Sequence, residues 1–220
     1  MKVVISGYGK MGHMVEEVLK EKGIPCAGAT EDVANFDDKI ASQSVCIDFT
    51  TPEAFKANYK ILAEKFAAVV VGTTGWQSIA DEVISYFEKC ETPMIYASNF
   101  SLGVNVAFAI MDLAADKLAE AGYKPSIIET HHVHKLDAPS GTAATMAAIV
   151  AARMGTVCPI ESRRIGEVPG IHELCLVSDC DKITIVHEAF SRKGFAEGAV
   201  MASQMIDDVN GVHEFKDLIF

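Results

Sequence analysis

The chain contains no Cys-x-x-Cys pair, no block of positive charge and no apolar stretch long enough to cross a membrane. Each absence excludes a class of protein. Its six cysteines, Cys26, Cys46, Cys90, Cys158, Cys175 and Cys180, stand apart, several inside apolar runs such as SVCIDFT and HELCLVS. A thiol in such a run behaves as a small hydrophobe, so this usage fits a reducing compartment rather than a disulfide framework. A formal net charge of −11 argues against nucleic acid or an anionic membrane surface as the main partner. It leaves room for a local basic site that takes a small anion. MKVVISGYG has too short an apolar run before its glycines to read as a secretory leader. The expectation is a soluble, cytoplasmic protein. Repeats, low-complexity tracts and flexible linkers are also missing.

What is present is a regular alternation. KVVIS (2–6) is a β-rich run ending in glycines, and after it Met11, Met14, Val15, Val18 and Leu19 recur at helical spacing. CAGAT (26–30) and SVCIDFT (44–50) read as strands, and Pro52 marks a helix start. AAVVVGTT (67–74) is the continuous apolar run of a strand buried on both faces. A helix over about 77–89 leads to the strand PMIYAS (93–98). Repeated βα units predict an α/β fold with a doubly wound parallel sheet over residues 1–100. The second half has a different rhythm. A helix covers roughly 102–121, SIIETHHVHK reads as a strand, and a helix runs from Ser140 to about Met154. The Gly, Pro and Arg content of 156–170 predicts a loop, and HELCLVS with KITIVHEAF predicts an antiparallel pair. Residues 101–192 therefore form a second, α+β domain, and 193–220, helical again, return to the first.

Gly7-Tyr8-Gly9-Lys10-Met11-Gly12 is a G-x-G-x-x-G between a strand and a helix. Glycines there allow a tight turn and let backbone approach a pyrophosphate at the helix N-terminus. The pattern alone could also be a packing turn; its context favours a dinucleotide. Glu31, at the end of the second strand, suits the ribose hydroxyls, and Asp32 adds repulsion toward a 2′-phosphate. Lys10 pulls the other way. The balance favours NADH over NADPH. The strand ends Gly72-Thr73-Thr74 and Ala97-Ser98-Asn99-Phe100 add further cofactor candidates, since ligands bind beyond the carboxyl ends of such strands. Phe100 is the aromatic that could border a nicotinamide.

The segment ETHHVHKLDAPSGTA (129–143) places His131, His132, His134 and Lys135 within five positions. A metal site is one reading. On a strand, however, His132 and His134 would face one way while His131 and Lys135 face the other, and a lysine disfavours a bound cation. Histidines satisfied on a half-exposed strand are a second reading. The third is an anion-binding acid site. A helix starting at Ser140, Gly141 and Thr142 offers N–H groups and hydroxyls to a carboxylate, Lys135 adds a full charge, and His131 or His132 can donate a proton near neutrality. With a dinucleotide loop upstream, the reaction implied is hydride transfer.

The same segment resembles the signature of the 4-hydroxy-tetrahydrodipicolinate reductase (dihydrodipicolinate reductase) family. The similarity extends in order through GYGKMG, VCIDFTTPEA, VVGTTGW, ASNFSLGVNV, RIGEVPGIHE and HEAFSRKGFAEGA. It implies a Rossmann-type first domain, a second domain that binds substrate and assembles a homotetramer through its sheet, and NAD(P)H-dependent reduction of a small dicarboxylate in diaminopimelate and lysine biosynthesis. By position, His131 would donate the proton and Lys135 would be a second donor. His132, Gly141 and Thr142, with Ser140, would bind substrate, and Arg192 would meet a carboxylate. The cofactor would contact Gly7 to Gly12, Glu31, Gly72 to Thr74 and Ala97 to Phe100. No metal is implied. Two departures stand out: a glycine loop one residue shorter than the family's longer form, and Asp32 where dual-specificity members can carry arginine. A nucleotide-sensing regulator would leave the His/Lys segment unexplained. A metal-dependent hydrolase would leave the glycine loop unexplained.

Overall fold

The computed structural model describes residues 1–220, which divide into two compact units, Met1–Ser101 with Lys193–Phe220 and Leu102–Arg192. In chain order the elements are β1 (Lys2–Ser6), α1 (Lys10–Glu21), β2 (Cys26–Thr30), α2 (Asp38–Ala41), β3 (Ser44–Asp48), α3 (Pro52–Lys65), β4 (Ala68–Val71), α4 (Ala80–Lys89) and β5 (Met94–Tyr96). They continue with α5 (Leu102–Leu118), β6 (Lys124–His131), α6 (Gly141–Met154), β7 (Ile160–Arg164), β8 (Gly170–Val177), β9 (Lys182–Ala189), α7 (Lys193–Met205) and β10 (Val212–Glu214).

The first unit is a six-stranded sheet in the order β10-β5-β4-β3-β1-β2, parallel at every pairing. Its central strands are buried on both faces, and alternate residues feed two cores. Val3, Ile5, Val45, Ile47 and Val70 pack with Val15, Val18 and Leu19 of α1 and Ala199 and Val200 of α7. Val4, Cys46, Val69 and Val71 pack with Phe55 and Leu62 of α3 and Phe87 of α4. Local chemistry sets the helix starts. Thr51 accepts the Ala54 N–H at 3.2 Å ahead of Pro52, and Asp37 caps α2 through the Ile40 N–H at 2.8 Å. α1 differs, because Gly9 at its N-cap supplies no side-chain partner. The short strand β10 extends the sheet beyond β5, an edge the sequence pattern did not reveal.

The second unit is a four-stranded sheet in the order β7-β6-β8-β9, with β6 and β7 parallel and the other pairs antiparallel. α5 and α6 cover one face through Met111, Ala115, Met146 and Val150, packed against Ile127, Leu174 and Leu176. Two expectations need correction here. The Gly/Pro/Arg-rich stretch holds a strand, β7, because Ile160 to Arg164 find parallel partners in Ile127 to His131. Composition cannot show that long-range pairing. Also, β6 ends at His131, and Val133 and His134 lie in a turn. The alternation expected for His132, His134 and Lys135 therefore does not exist.

Candidate active site

The register of the second sheet builds the histidine cluster row by row. On the helix-covered face, Ile160, Ile127, Leu174 and Ile185 form one apolar row across the four strands. One step along, the matching row reads Ser162, Glu129, His172 and His187. The next brings Arg164 beside His131. Side chains two apart share a face, so the core gives way to a polar cluster within a single step.

Glu129 is fully buried, and its carboxylate pairs with the Nδ1 of His131 and accepts from Arg164 Nη1 at 2.9 Å. Burial alone would raise the Glu129 carboxyl. The hydrogen bonds from Ser162, Arg164 and His131 outweigh it and hold the group below its ordinary range. His131 is pushed down, first by burial and further by the positive charges of Lys135 and Arg164, against the pull of Glu129. His172 packs edge-on against the His131 ring at 5.1 Å, and burial with its neighbouring histidines lowers it to about 4. Gly170 adjoins His131, and a Cβ there would lie 3.1 Å from His131 Nε2. The glycine makes room for the ring.

Beyond β6 the chain turns back, with the Lys135 N–H donating to the His132 carbonyl at 3.2 Å. Lys135 Nζ meets Asp137 Oδ1 at 2.9 Å, and that contact first of all keeps the Asp137 carboxyl low. His132 is half-buried with an unpartnered Nδ1, whereas His134 is exposed and contacts Glu167 at 3.1 Å. Ser140 is buried. Its hydroxyl accepts the Ala143 N–H as the α6 cap and meets His172 Nε2 at 3.2 Å. That side chain faces into the fold. Exposed Gly141 is the open position at the helix start, since a Cβ there would meet nothing within 4 Å. Arg192 is exposed on the turn after β9.

In the first unit, Gly7 has φ +85, and a Cβ there would strike the Phe49 carbonyl at 2.3 Å. At Gly12 a Cβ would sit 2.2 Å from the Gly7 carbonyl. At Gly9 it would meet nothing within 4 Å. Two glycines therefore permit the turn and the third leaves open space over an uncapped helix end. This cradle fits a dinucleotide pyrophosphate. Glu31 accepts the Tyr8 N–H at 2.5 Å, tying the β2 end to the loop. Asp32 is held by Asn35 Nδ2 at 2.7 Å and by the Ala34 N–H at 3.1 Å. Thr73 is buried on Asp48, while Thr74 and Ser98 are exposed. Lys10 is exposed, and Met11 packs against the core. Phe100 is not free to border a ring with its side chain, because it is buried between Phe49 and Phe215. Ala97 is buried and Asn99 bonds the Ser101 N–H at 2.8 Å.

Sequence reasoning missed Glu129 as a charged partner, Arg164, His172, His187 and Asp48. Only the cross-strand register reveals the first four. Asp48 was visible as an acid at a strand end, which is itself a signal.

Fold and site define a two-domain α/β oxidoreductase that uses a pyridine nucleotide. The family models described as "Dihydrodipicolinate reductase, N-terminus" and "Dihydrodipicolinate reductase, C-terminus" match residues 1–100 and 103–219. The chain belongs to the dihydrodipicolinate reductase family. It is 36% identical over 233 residues to the 4-hydroxy-tetrahydrodipicolinate reductase of Christiangramia forsetii, covering 100% of this chain and 98% of that one. Against the enzyme of the same name from Ralstonia nicotianae it is 32% identical over 264 residues, covering 100% and 99%. The fold is shared with a dipicolinate-bound dihydrodipicolinate reductase from Paenisporosarcina sp. TG-14, at a TM-score of 0.82 and 21% identity, covering 100% of this chain and 99% of that one. No helix is long and apolar enough to cross a membrane.

Proposed function

We propose that the protein reduces 4-hydroxy-tetrahydrodipicolinate to tetrahydrodipicolinate with NAD(P)H, in diaminopimelate and lysine biosynthesis, with His131 and Lys135 as its working groups. The observation that carries the reading is the register step that sets His131 on a buried acid a few residues before Lys135 and the start of α6.

The substrate is a ring with two carboxylates. Lys135 and the α6 start at Gly141 and Thr142 take one of them, through a full charge and the helix end. His132 lines the ring, and Arg192 serves the second carboxylate. With the 4-hydroxyl lost as water the ring is a conjugated imine, and a reduced nicotinamide, when bound, would supply hydride to its conjugated carbon. The chain must then neutralise the charge that this addition leaves. His131, as imidazolium, gives its proton to the developing enamine, a contribution of about 10²–10⁴-fold for a positioned acid. A dianion beside His131 opposes the lowering caused by burial and by Lys135 and Arg164, so substrate binding itself helps to charge the acid.

For the cofactor, we favour NADH. Gly7, Gly9 and Gly12 form the phosphate cradle and Glu31 takes the ribose hydroxyls. Asp32, held as an anion by Asn35, repels a 2′-phosphate. The strand ends from Gly72 to Thr74 and Ala97 to Phe100 contribute backbone to the same ligand. Assembly as a homotetramer is supported by the second sheet's other face, where Cys175, Val177 and Val186 lie uncovered by the unit's helices.

The test is oxidation of NADH and NADPH with substrate made in situ by the preceding synthase, wild type beside Lys135→Ala. Turnover that collapses in the variant supports the reading. Tight NADH binding without turnover on this substrate overturns it and leaves a nucleotide-binding first unit.

A further inference from the structure

The acid behind His131 has no role in the chemistry above. Glu129 is fully buried, and a buried carboxylate costs several kcal/mol unless its charge is met. Here it is met on every side. Arg164 donates to Oε1 at 2.9 Å and to the Asp137 carbonyl at 2.6 Å, which anchors the guanidinium in turn. Ser162 adds a hydrogen bond, and the other carboxylate oxygen faces His131 Nδ1. The preceding row of the same sheet face is filled by Ile160, Ile127, Leu174 and Ile185. Packing alone is therefore satisfied by aliphatic residues at this depth, and a charged pair here needs another reason.

We propose that Glu129, clamped by Arg164, is the positioning residue that makes His131 a proton donor. It accepts the Nδ1–H, fixes the ring's orientation, and leaves Nε2 as the atom that releases the proton. The inference rests on His131 being the acid of the reaction. In the step itself the Nε2–H bond breaks, its electron pair stays on nitrogen, and the proton goes to the enamine that hydride addition has made. The imidazole ends neutral and Glu129 remains ionised. Gly170 completes the arrangement, because a side chain there would press on Nε2.

The groups that face His131 set the sign of the effect. They are Glu129 on β6, Arg164 on β7, His172 on β8 and Lys135 past the strand end, with His187 one ring beyond His172 at 6.4 Å. Only Glu129 favours the charged imidazole. Removing its charge must therefore move the His131 titration down, whereas a merely structural loss would reduce activity without moving it.

The experiment compares wild type, Glu129→Gln, Glu129→Asp and His131→Asn by the pH dependence of kcat/KM, and follows the His131 ring by nitrogen-15 NMR. In wild type, kcat/KM falls as pH rises through the His131 titration. Glu129→Gln should move that limb and the NMR titration down together by about one unit or more. Activity at neutral pH should fall at least tenfold with KM little changed. Glu129→Asp keeps the charge at a longer reach and should fall between the two, which preserves a readout if the Gln protein folds poorly. A limb and an NMR titration that both stay at their wild-type positions in both variants overturn the inference. If His131→Asn retains the limb, it is the assignment of His131 as the acid that fails, whatever Glu129 does to the ring.

Discussion

Thr73 donates its hydroxyl to Asp48 at 2.6 Å while accepting the Thr50 N–H at 2.8 Å, so one buried threonine joins the ends of β3 and β4. Ser6, at the end of β1, donates to the other Asp48 oxygen at 2.7 Å. Three neighbouring strand ends, two of them leading into the loops proposed to hold the cofactor, are thus fastened to a single carboxylate.

Asp48→Ala should remove that fastening and leave buried hydroxyls unmet, lowering the unfolding free energy by roughly 2–4 kcal/mol in urea denaturation. Asp48→Asn should cost less, because burial already penalises the charge. The pH dependence has a definite sign. Burial raises the folded carboxyl above its ordinary 3.8. The penalty is full above the raised folded value and disappears as pH falls to 3.8. The gap between wild type and Asp48→Asn should change across that window and nowhere above it.

The glycine loop separates fold from ligand binding. Gly9 has φ −82 in extended backbone and open space at its Cβ position, so Gly9→Ala should melt like wild type yet lose NADH binding by fluorescence titration. Gly12→Ala places its Cβ against the Gly7 carbonyl at 2.2 Å and should lower the melting temperature as well. Equal behaviour of the two variants would contradict the cradle.

Lys135→Ala should raise KM and lower kcat together, with a combined loss in kcat/KM of about 10²–10⁴-fold, since one charge serves binding and the transition state. A change confined to KM would reduce Lys135 to an anchor.

Cofactor choice should respond to Asp32. Asp32→Ser keeps a turn-forming hydroxyl and removes one negative charge, so kcat/KM for NADPH should rise about five- to tenfold while that for NADH stays level. Steady-state rates with both cofactors decide it.

His172 provides a test in the second unit. It is neutral when folded, with its titration lowered from 6.5 to about 4, and free to charge when unfolded. Stability should therefore decline as pH falls from 6.5 toward about 4, because protons favour the unfolded chain. His172→Gln should flatten that slope in a series of chemical denaturations.

Much of this architecture was legible in the sequence because its signals are local. The continuous apolar run of β4, the Gly7–Gly12 loop and the Ser140 start of α6 announce themselves within a few residues. What was hidden depends on partners distant in sequence. Arg163 and Arg164 look like loop residues until β6 supplies their hydrogen bonds. Glu129 looks like a strand acid until Arg164 arrives from 35 residues away. Phe100 read as a ring-bordering aromatic, yet Phe49 and Phe215 enclose it. Ser140 read as a ligand donor, but its hydroxyl closes the helix and holds His172.

The first unit is discontinuous, and this has a consequence for its birth on the ribosome. α7 fills the core beside α1, and β10 is the outermost strand of the sheet. Residues 1–101 therefore wait, with Val15, Val18 and Leu19 uncovered by Ala199 and Val200, until the whole intervening unit has been synthesised. The inserted Leu102–Arg192 unit, contiguous in sequence, can complete its own sheet first. The half made first is the half finished last, and a stalled chain ending before Lys193 would present a nascent nucleotide domain with an apolar face for chaperones to hold.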